Sequence, residues 1–408
     1  MAGETKRGAL EGVKVIEWAE LVSGPYCGKL LADLGAEVIK IEPPGSGDAA
    51  RRMGPFPEDI PHPEKSGLFL YLNTNKYGIT LDPWAPAGKE VFRRLIEDAD
   101  LLIEDKSPAR IRQAGLDYES LKATNPRLVM VSITPFGQTG PHAEWKAYPL
   151  NIVHGGMLGY LTPWVSKWPD REPIQPGGMI GEYGSGLSAA TAALAALFIQ
   201  RATGRGQHVD VSKQEAVIAL NRVNAPQFPN EGKSDTRFVN MSGLLGALIP
   251  CKDGYVVFQI NETHHWRGFV QLLGNPEWAL DPAYLDGVER GRRFEAEIKP
   301  RVIEWARNFT MEELYHRGQA ANCPFAMVMS SEDVARSPHL EERGFFVEVD
   351  HPVAGKVTHA GAPFKMSRTP WAIRMPAPLL GRHNEMIYCG RLGYTGEELA
   401  AMRRAGVI

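Results

Sequence analysis

The chain has 408 residues, with 45 basic and 48 acidic side chains, a formal net charge of −3, and 43% hydrophobic residues. That balance describes a chain burying a large core in two or three domains, and it excludes a disordered scaffold, a collagen-like fibre and a disulfide-stapled module. Charges of both signs are interleaved, so no long basic stripe is on offer to nucleic acid or an anionic membrane.

In chain order, Val13 to Trp18 reads as a buried strand, Pro25 to Asp33 as a helix with proline in its first turn, and Val38 to Glu42 as a second strand. The pattern resumes with a strand at Tyr77 to Leu81, a helix at Ala87 to Glu97, and strands at Leu101 to Glu104 and Leu128 to Thr134. Strands alternating with helices predict an α/β fold with an open parallel sheet covered on both faces. Ligands of such sheets gather at the carboxyl ends of the strands, here Ala19 to Gly24, Pro43 to Asp48, Asp105 to Pro108 and Pro135 to Pro141. Ser185 to Arg201 is an alanine-rich helix stopped by Gly204 and Gly206, its small side chains suited to close packing. The polar, proline-bearing segment after Val223 opens a smaller α+β domain, predicted over residues 225–330. Residues 1–224 and 331–408 then form the large domain, and the chain ends in a loop followed by a helix.

Cys27, Cys251, Cys323 and Cys389 lack C-x-x-C spacing, which argues against structural zinc and for a reducing compartment. The opening MAGETKRGALEG lacks the apolar core of a signal peptide, and the longest apolar run, around Ala189 to Ile199, is too short to span a bilayer. A cytoplasmic location is the expectation. The adjacent His264 and His265 do not share a face and have no carboxylate at ligand spacing, so no metal is expected. Ser185 lacks the G-x-S-x-G context of a hydrolase nucleophile.

PPGSGD at Pro43 to Asp48 follows a strand and is either a phosphate cradle or a tight turn. Lys40, Lys76, Lys106 and Lys146 fall near strand ends, where four cations together would suit a polyphosphate. Glu182 lies in GGMIGEYGSG, immediately before the alanine-rich helix. Glycines there admit a ligand, and a carboxylate so placed serves either as a nucleophile toward an activated acyl group or as a complement to the helix dipole.

Together, LEGVKVIEWAELVSGPYCGKLLADLGAEVIKIEPPGSGD, LNTNKYGITLD, NPRLVMVSITPFGQTGP, EYGSGLSAATAALAALFIQRATGRGQHVDVSKQEAV, GAPFKMS and PLLGRHNEMI resemble the class III coenzyme A transferase family. That family includes formyl-CoA and carnitine CoA-transferases and alpha-methylacyl-CoA racemases, and the resemblance spans nearly the whole chain in the family's order. It implies a Rossmann-like large domain built from both chain ends, a smaller domain, and two ring-shaped protomers threaded through one another. It also implies transfer of CoA from an acyl-CoA to a small carboxylic acid, with no metal.

The family's nucleophilic aspartate aligns with Glu182, which implies a cycle through a glutamyl anhydride and a glutamyl-CoA thioester. The same resemblance implies CoA contacts at Leu21, Val22 and Ser23, at Lys76, at Asp105 and Lys106, and at Lys146 near the phosphates and active site. Asn240 to Gly246 resembles the family's mobile glycine loop. The chain departs from the pattern at Pro43, where a basic residue is common, at Asp105, where asparagine is common, and at Gln113, where an arginine is common and Arg112 stands beside it. Ala147, Tyr148 and Pro149 replace the racemase G-H-D motif, which argues against racemisation. The departures leave a second reading, a catalytically silent subunit of a heteromeric, benzylsuccinate-type CoA-transferase, beside the homodimeric enzyme. Trp145, Trp164 and Trp168 would favour an apolar or aromatic acid, or simply pack.

Overall fold

A computed structural model describes residues 8–163, 170–237 and 246–408. The chain divides by contact into two units, one drawn from Met1–Pro163, Glu172–Asp235 and Gly344–Ile408, the other from Trp164–Arg171 and Thr236–Arg343.

The first unit is built on strands β1 (Lys14–Trp18), β2 (Glu37–Glu42), β3 (Lys76–Thr80), β4 (Leu101–Glu104), β5 (Val129–Thr134) and β6 (His208–Ser212). They form one six-stranded sheet in the order β3-β2-β1-β4-β5-β6, and every pairing is parallel. This is a doubly wound order whose direction reverses beside β1, the place where such sheets open a crevice. Its helices include α1 (Ser23–Asp33), α2 (Gly67–Leu72), α3 (Pro86–Glu97), α4 (Pro108–Ala114), α5 (Tyr118–Leu121), α6 (Pro149–Gly155), α7 (Ile180–Thr203) and α8 (Lys213–Leu220).

Successive strand residues point to opposite faces, so each strand feeds two cores. Val15, Val38, Ile103 and Val131 pack with Leu31 of α1 and with Ala189, Ala193 and Leu197 of α7. On the other face Ile16, Ile39, Leu102 and Met130 pack with Val91, Phe92 and Leu95 of α3 and with Tyr388 and Leu399 near the C-terminus. Both faces being covered is why the strands read as continuous apolar runs.

Strand β6 is absent from the sequence expectation, because at the sheet's edge His208 and Asp210 are exposed and Val209 only half-buried, which leaves little apolar pattern. The opposite edge, β3, is closed by the C-terminal segment. The Thr80 amide donates to Asn384 Oδ1 at 2.9 Å, Tyr388 Oη donates to the Thr80 carbonyl at 2.6 Å, and the Asp82 amide donates to the Val407 carbonyl at 2.8 Å. An edge strand satisfied in this way offers no free ladder to another chain.

The alanine-rich helix begins at Ile180 rather than Ser185, so Glu182 stands in its first turn instead of before it. Glycine disfavours helix, but tertiary contact overrides that preference, since only glycine at 186 lets α7 approach α1. With 24 residues, α7 is also longer than the apolar run Ala189 to Ile199, and its length and composition would suffice to cross a membrane. Its Ala189, Ala193, Ala196 and Leu197 face is instead buried against α1 and the sheet.

The second unit holds an antiparallel sheet in the order β7 (Gly246–Pro250), β8 (Tyr255–Gln259), β9 (Phe325–Met327). Helices bring Trp266, Phe269, Ile298 and Leu314 onto Ile249, Phe258 and Phe325 of that sheet. Within the first unit, β10 (Phe346–His351) and β11 (Gly355–Ala360) make an antiparallel hairpin.

Candidate active site

The site grows from the turn after β1. Leu21 adopts φ +64, a left-handed conformation that a leucine takes only when its surroundings hold it there. The surroundings are two aspartates: Asp105 Oδ2 accepts from the Glu20 amide at 2.8 Å, and Asp48 Oδ1 accepts from the Leu21 amide at 2.9 Å. Val22 precedes α1 and is buried, Ser23 opens α1, and the turn delivers the Ser23 hydroxyl to Glu182.

Glu182 is 6% exposed. Ser23 Oγ donates to its Oε2, and Lys213 Nζ donates to the same oxygen at 2.7 Å. Both donors among the described residues thus converge on Oε2. A buried carboxylate without compensation would be costly, and here a hydroxyl, an ammonium and the positive end of α7 supply it. No hydrogen bond from the described residues falls on the other oxygen, Oε1.

Lys213 escaped the sequence reading because β6 did. It is the first residue after that strand, at the sheet's carboxyl edge, and the signal that would have found it is the alternating HVDVS after Gly204 and Gly206. Ser23, expected to touch CoA, has Glu182 as its hydrogen-bond partner.

Of the four lysines proposed for a polyphosphate, two are interior. Lys76 is fully buried, 2.7 Å from Glu17 Oε2, and donates to the Pro25 carbonyl and Asn73 Oδ1. Burial pushes its ammonium down to about 8, with Glu17 opposing. Lys40 bonds Glu17 Oε1 at 3.0 Å and Asp48 Oδ2 at 2.8 Å, and although burial works against its charge, Asp48, Glu17 and Glu42 hold it above its ordinary value. Gly28 makes room for this network, since a Cβ there would stand 1.8 Å from Glu17 Oε2.

PPGSGD is a tight turn rather than a phosphate cradle. Its Ser46 and Gly47 amides donate to the Pro44 and Pro43 carbonyls, and its Asp48 amide donates to Glu42.

The remaining expected residues meet at the carboxyl ends of β4 and β5. Asp105, Lys106, Lys146, Thr134, Trp145 and Tyr148 are among those lining a cleft of about 350 Å³. Lys106 Nζ lies 2.8 Å from Asp105 and 3.2 Å from Glu20, and these carboxylates outweigh burial to raise it. It also borders a second hollow of about 400 Å³, where Arg110 stacks on Trp84 at 3.8 Å. Lys146 is exposed, and Arg112 on α4 is exposed and pairs with Glu144 at 2.9 Å. Glu20 touches Asp105 and Lys106 while Ser23 touches Glu182, so three Cα steps, at most about 11 Å of chain, connect the cleft to the carboxylate. Trp145 stacks on His142 at 3.8 Å, meets Phe136 edge-on at 6.4 Å and is otherwise exposed. Trp164, Trp168 and residues 240–245 lie outside the described residues.

Beneath the cleft, Glu104 is fully buried, one oxygen accepting from the Lys106 amide at 2.6 Å and the other without a hydrogen-bond partner. Burial pushes its carboxyl up to about 7. Among the described residues, no group of three or more metal-ligating side chains occurs.

A family model, CoA-transferase family III, matches residues 10–384. The succinyl-CoA–D-citramalate CoA-transferase of Chloroflexus aurantiacus is 31% identical over 98% of this chain and 98% of its own. The formyl-CoA:oxalate CoA-transferase of Streptomyces coelicolor is 34% identical over 98% of this chain and 99% of its own. Among solved structures, a CAIB/BAIF family protein from Brucella suis superposes with a TM-score of 0.83 at 30% identity, over 94% of this chain and 99% of that one. A doubly wound sheet with its cleft at the strand ends, matched along nearly its whole length by CoA-transferases, belongs to CoA-transferase family III.

Proposed function

We propose that this CoA-transferase moves CoA from an acyl-CoA to a small carboxylic acid with Glu182 as its nucleophile. The observation that carries the reading is the clamping of Glu182 by Ser23 and Lys213 on a single oxygen, in the first turn of α7. In the donor half, the free oxygen attacks the thioester carbonyl. A C–O bond forms, the C–S bond breaks, and a mixed anhydride and CoA thiolate result. The thiolate then attacks the Glu182 carbonyl, releasing the donor acid and leaving a glutamyl-CoA thioester. The acceptor half runs the same two steps in reverse with the second acid. The Glu182 and Tyr183 amides donate to the Met179 carbonyl, so the Ile180 and Gly181 amides at the start of α7 are the ones proposed to meet the developing oxyanions.

The cleft lined by Asp105, Lys106 and Lys146 is proposed to take CoA, with Lys146 and Lys106 toward phosphate and the Leu21 to Ser23 turn leading the thiol to Glu182. Arg112 on α4, paired with the cleft-lining Glu144, is proposed to contribute from the rim. Relatives that use formyl, oxalate, succinyl and citramalate groups support small acids as the exchanged partners. Exposed Leu187, Leu194 and Phe198 along α7 support assembly with a second copy, which sedimentation would test.

The test is mass spectrometry after incubation with succinyl-CoA and formyl-CoA, with borohydride or hydroxylamine trapping and peptide mapping, beside Glu182→Ala. Modification at Glu182 that the variant lacks supports the reading. CoA binding without modification by any donor overturns it in favour of a silent subunit.

A further inference from the structure

We propose that Lys213 is the receptor for the substrate carboxylates, alternating between the Glu182 carboxylate in the resting site and the acid substrate once Glu182 is acylated. The inference rests on the Glu182 reading above and adds what recognises the acid.

Lys213 is fixed by the strand-to-helix junction rather than by its own length. Thr134 and Ser212 are paired at the ends of β5 and β6, Ser212 Oγ caps α8 by accepting from the Glu215 amide at 3.2 Å, and the Gln214 amide donates to the Pro135 carbonyl at 3.1 Å. Gln214 Nε2 donates to the Gly155 carbonyl at 2.9 Å, tying the same junction to α6. From this anchored backbone Nζ reaches Glu182 Oε2 at 2.7 Å.

The pair is asymmetric. The Lys213 side chain is 17% exposed against 7% for Glu182, so the ammonium is the more accessible partner. Among the described residues, Glu182 is the one carboxylate paired with it.

Acylation removes that partner. A glutamyl-CoA thioester carries no charge, so the ammonium is left largely desolvated with nothing to balance it. An acid carboxylate entering the site replaces the lost counterion and accepts from the same N–H donors. Its oxygen is thereby held beside the carbonyl it must attack. The acid's oxygen then forms a C–O bond to the Glu182 carbonyl carbon while the C–S bond breaks, giving the mixed anhydride and CoA thiolate. The thiolate forms a C–S bond to the acid's carbonyl carbon, the anhydride C–O bond breaks, and the ionised Glu182 returns to Lys213. A neutral nucleophile has no use for the ammonium, so Lys213 selects for anions.

The test uses the full chain as wild type, Lys213→Met and Lys213→Arg. The glutamyl-CoA enzyme formed from succinyl-CoA or formyl-CoA is freed of excess donor, then discharged with the matching acid or with neutral hydroxylamine. The expected result is that Lys213→Met slows discharge by succinate or formate about tenfold or more beyond any slowing of discharge by hydroxylamine, with Lys213→Arg between. In the wild type, chloride should compete with the acid and leave hydroxylamine discharge untouched, a measurement that needs no variant to fold. Equal slowing of both nucleophiles in Lys213→Met, or acid discharge indifferent to the substitution and to chloride, overturns the proposal. Absence of any adduct in the wild type overturns the Glu182 reading itself, and this inference with it.

Discussion

Gly186 of α7 lies against Ser23 of α1: a Cβ built on Gly186 would stand 2.5 Å from the Ser23 carbonyl oxygen and 3.2 Å from Tyr26 Cβ. The same helix contact delivers the Ser23 hydroxyl to Glu182. Replacing glycine by alanine inside a helix ordinarily stabilises by about 1 kcal/mol. Here Gly186→Ala must push α7 off α1, at a cost of about 1–3 kcal/mol. The expected outcome is a lower urea midpoint together with weaker acylation of Glu182, read by denaturation and adduct mass. An unchanged midpoint would show that the two helices have room to spare.

Ser23→Ala removes one of the two donors on Glu182 Oε2 without touching the helix contact. A hydrogen bond to a charged group is worth about 1.5–3 kcal/mol. Transfer kcat/KM should therefore fall about 10- to 100-fold. Donor-exchange kinetics measure this, and a loss confined to CoA affinity would place Ser23 on the cofactor instead.

Lys76→Met leaves Glu17 with Lys40 alone and strips a donor from the Pro25 carbonyl and Asn73. Breaking a buried pair from one side costs about 3–5 kcal/mol. Stability should fall by that order while the folded fraction binds CoA as before, checked by denaturation beside a binding titration. Weaker CoA binding at unchanged stability would contradict an interior role.

Lys146 is exposed on the cleft wall, so Lys146→Ala should leave stability within about 0.5 kcal/mol. CoA affinity should drop at low ionic strength and converge with wild type in high salt, where an exposed cation is screened. Calorimetric titration at two salt concentrations tests this.

Glu104 makes stability depend on pH. Its carboxyl is raised by burial from 4.5 to about 7, so between those values the folded protein keeps a proton that the unfolded chain has released. This contribution is fully present below pH 4.5 and is lost as pH rises through 7. Glu104→Gln carries no such proton, so the variant should exceed wild type at pH 8 by about 3 kcal/mol, with the gap closing toward pH 5. Thermal unfolding across that range decides it, and a constant gap would assign the effect to something other than this group.

The alternation of apolar strands and helices from Val13 to Thr134 was sufficient for the parallel sheet, because strands buried on both faces cannot hide their composition. Glu182 was legible for a related reason: a lone acid among glycines before an alanine-rich helix is a conspicuous expense of charge. The edge strand His208–Ser212 was not legible, since half-exposed residues carry little apolar pattern, and Lys213 was lost with it. Which lysines face solvent was equally hidden. Lys40, Lys76, Lys106 and Lys146 look alike in sequence, yet Glu17 of β1 holds Lys40 of the adjacent β2 and Lys76 of β3, one strand further on, in the interior. Local sequence determined the first five strands of the sheet and marked Glu182 as either a nucleophile or a helix-dipole complement, because periodicity and glycine placement act over a few residues. Only the tertiary structure decided what that carboxylate touches, because Ser23 reaches Glu182 from the central strand β1 and Lys213 from the edge strand β6, through backbone positions set by register and helix packing.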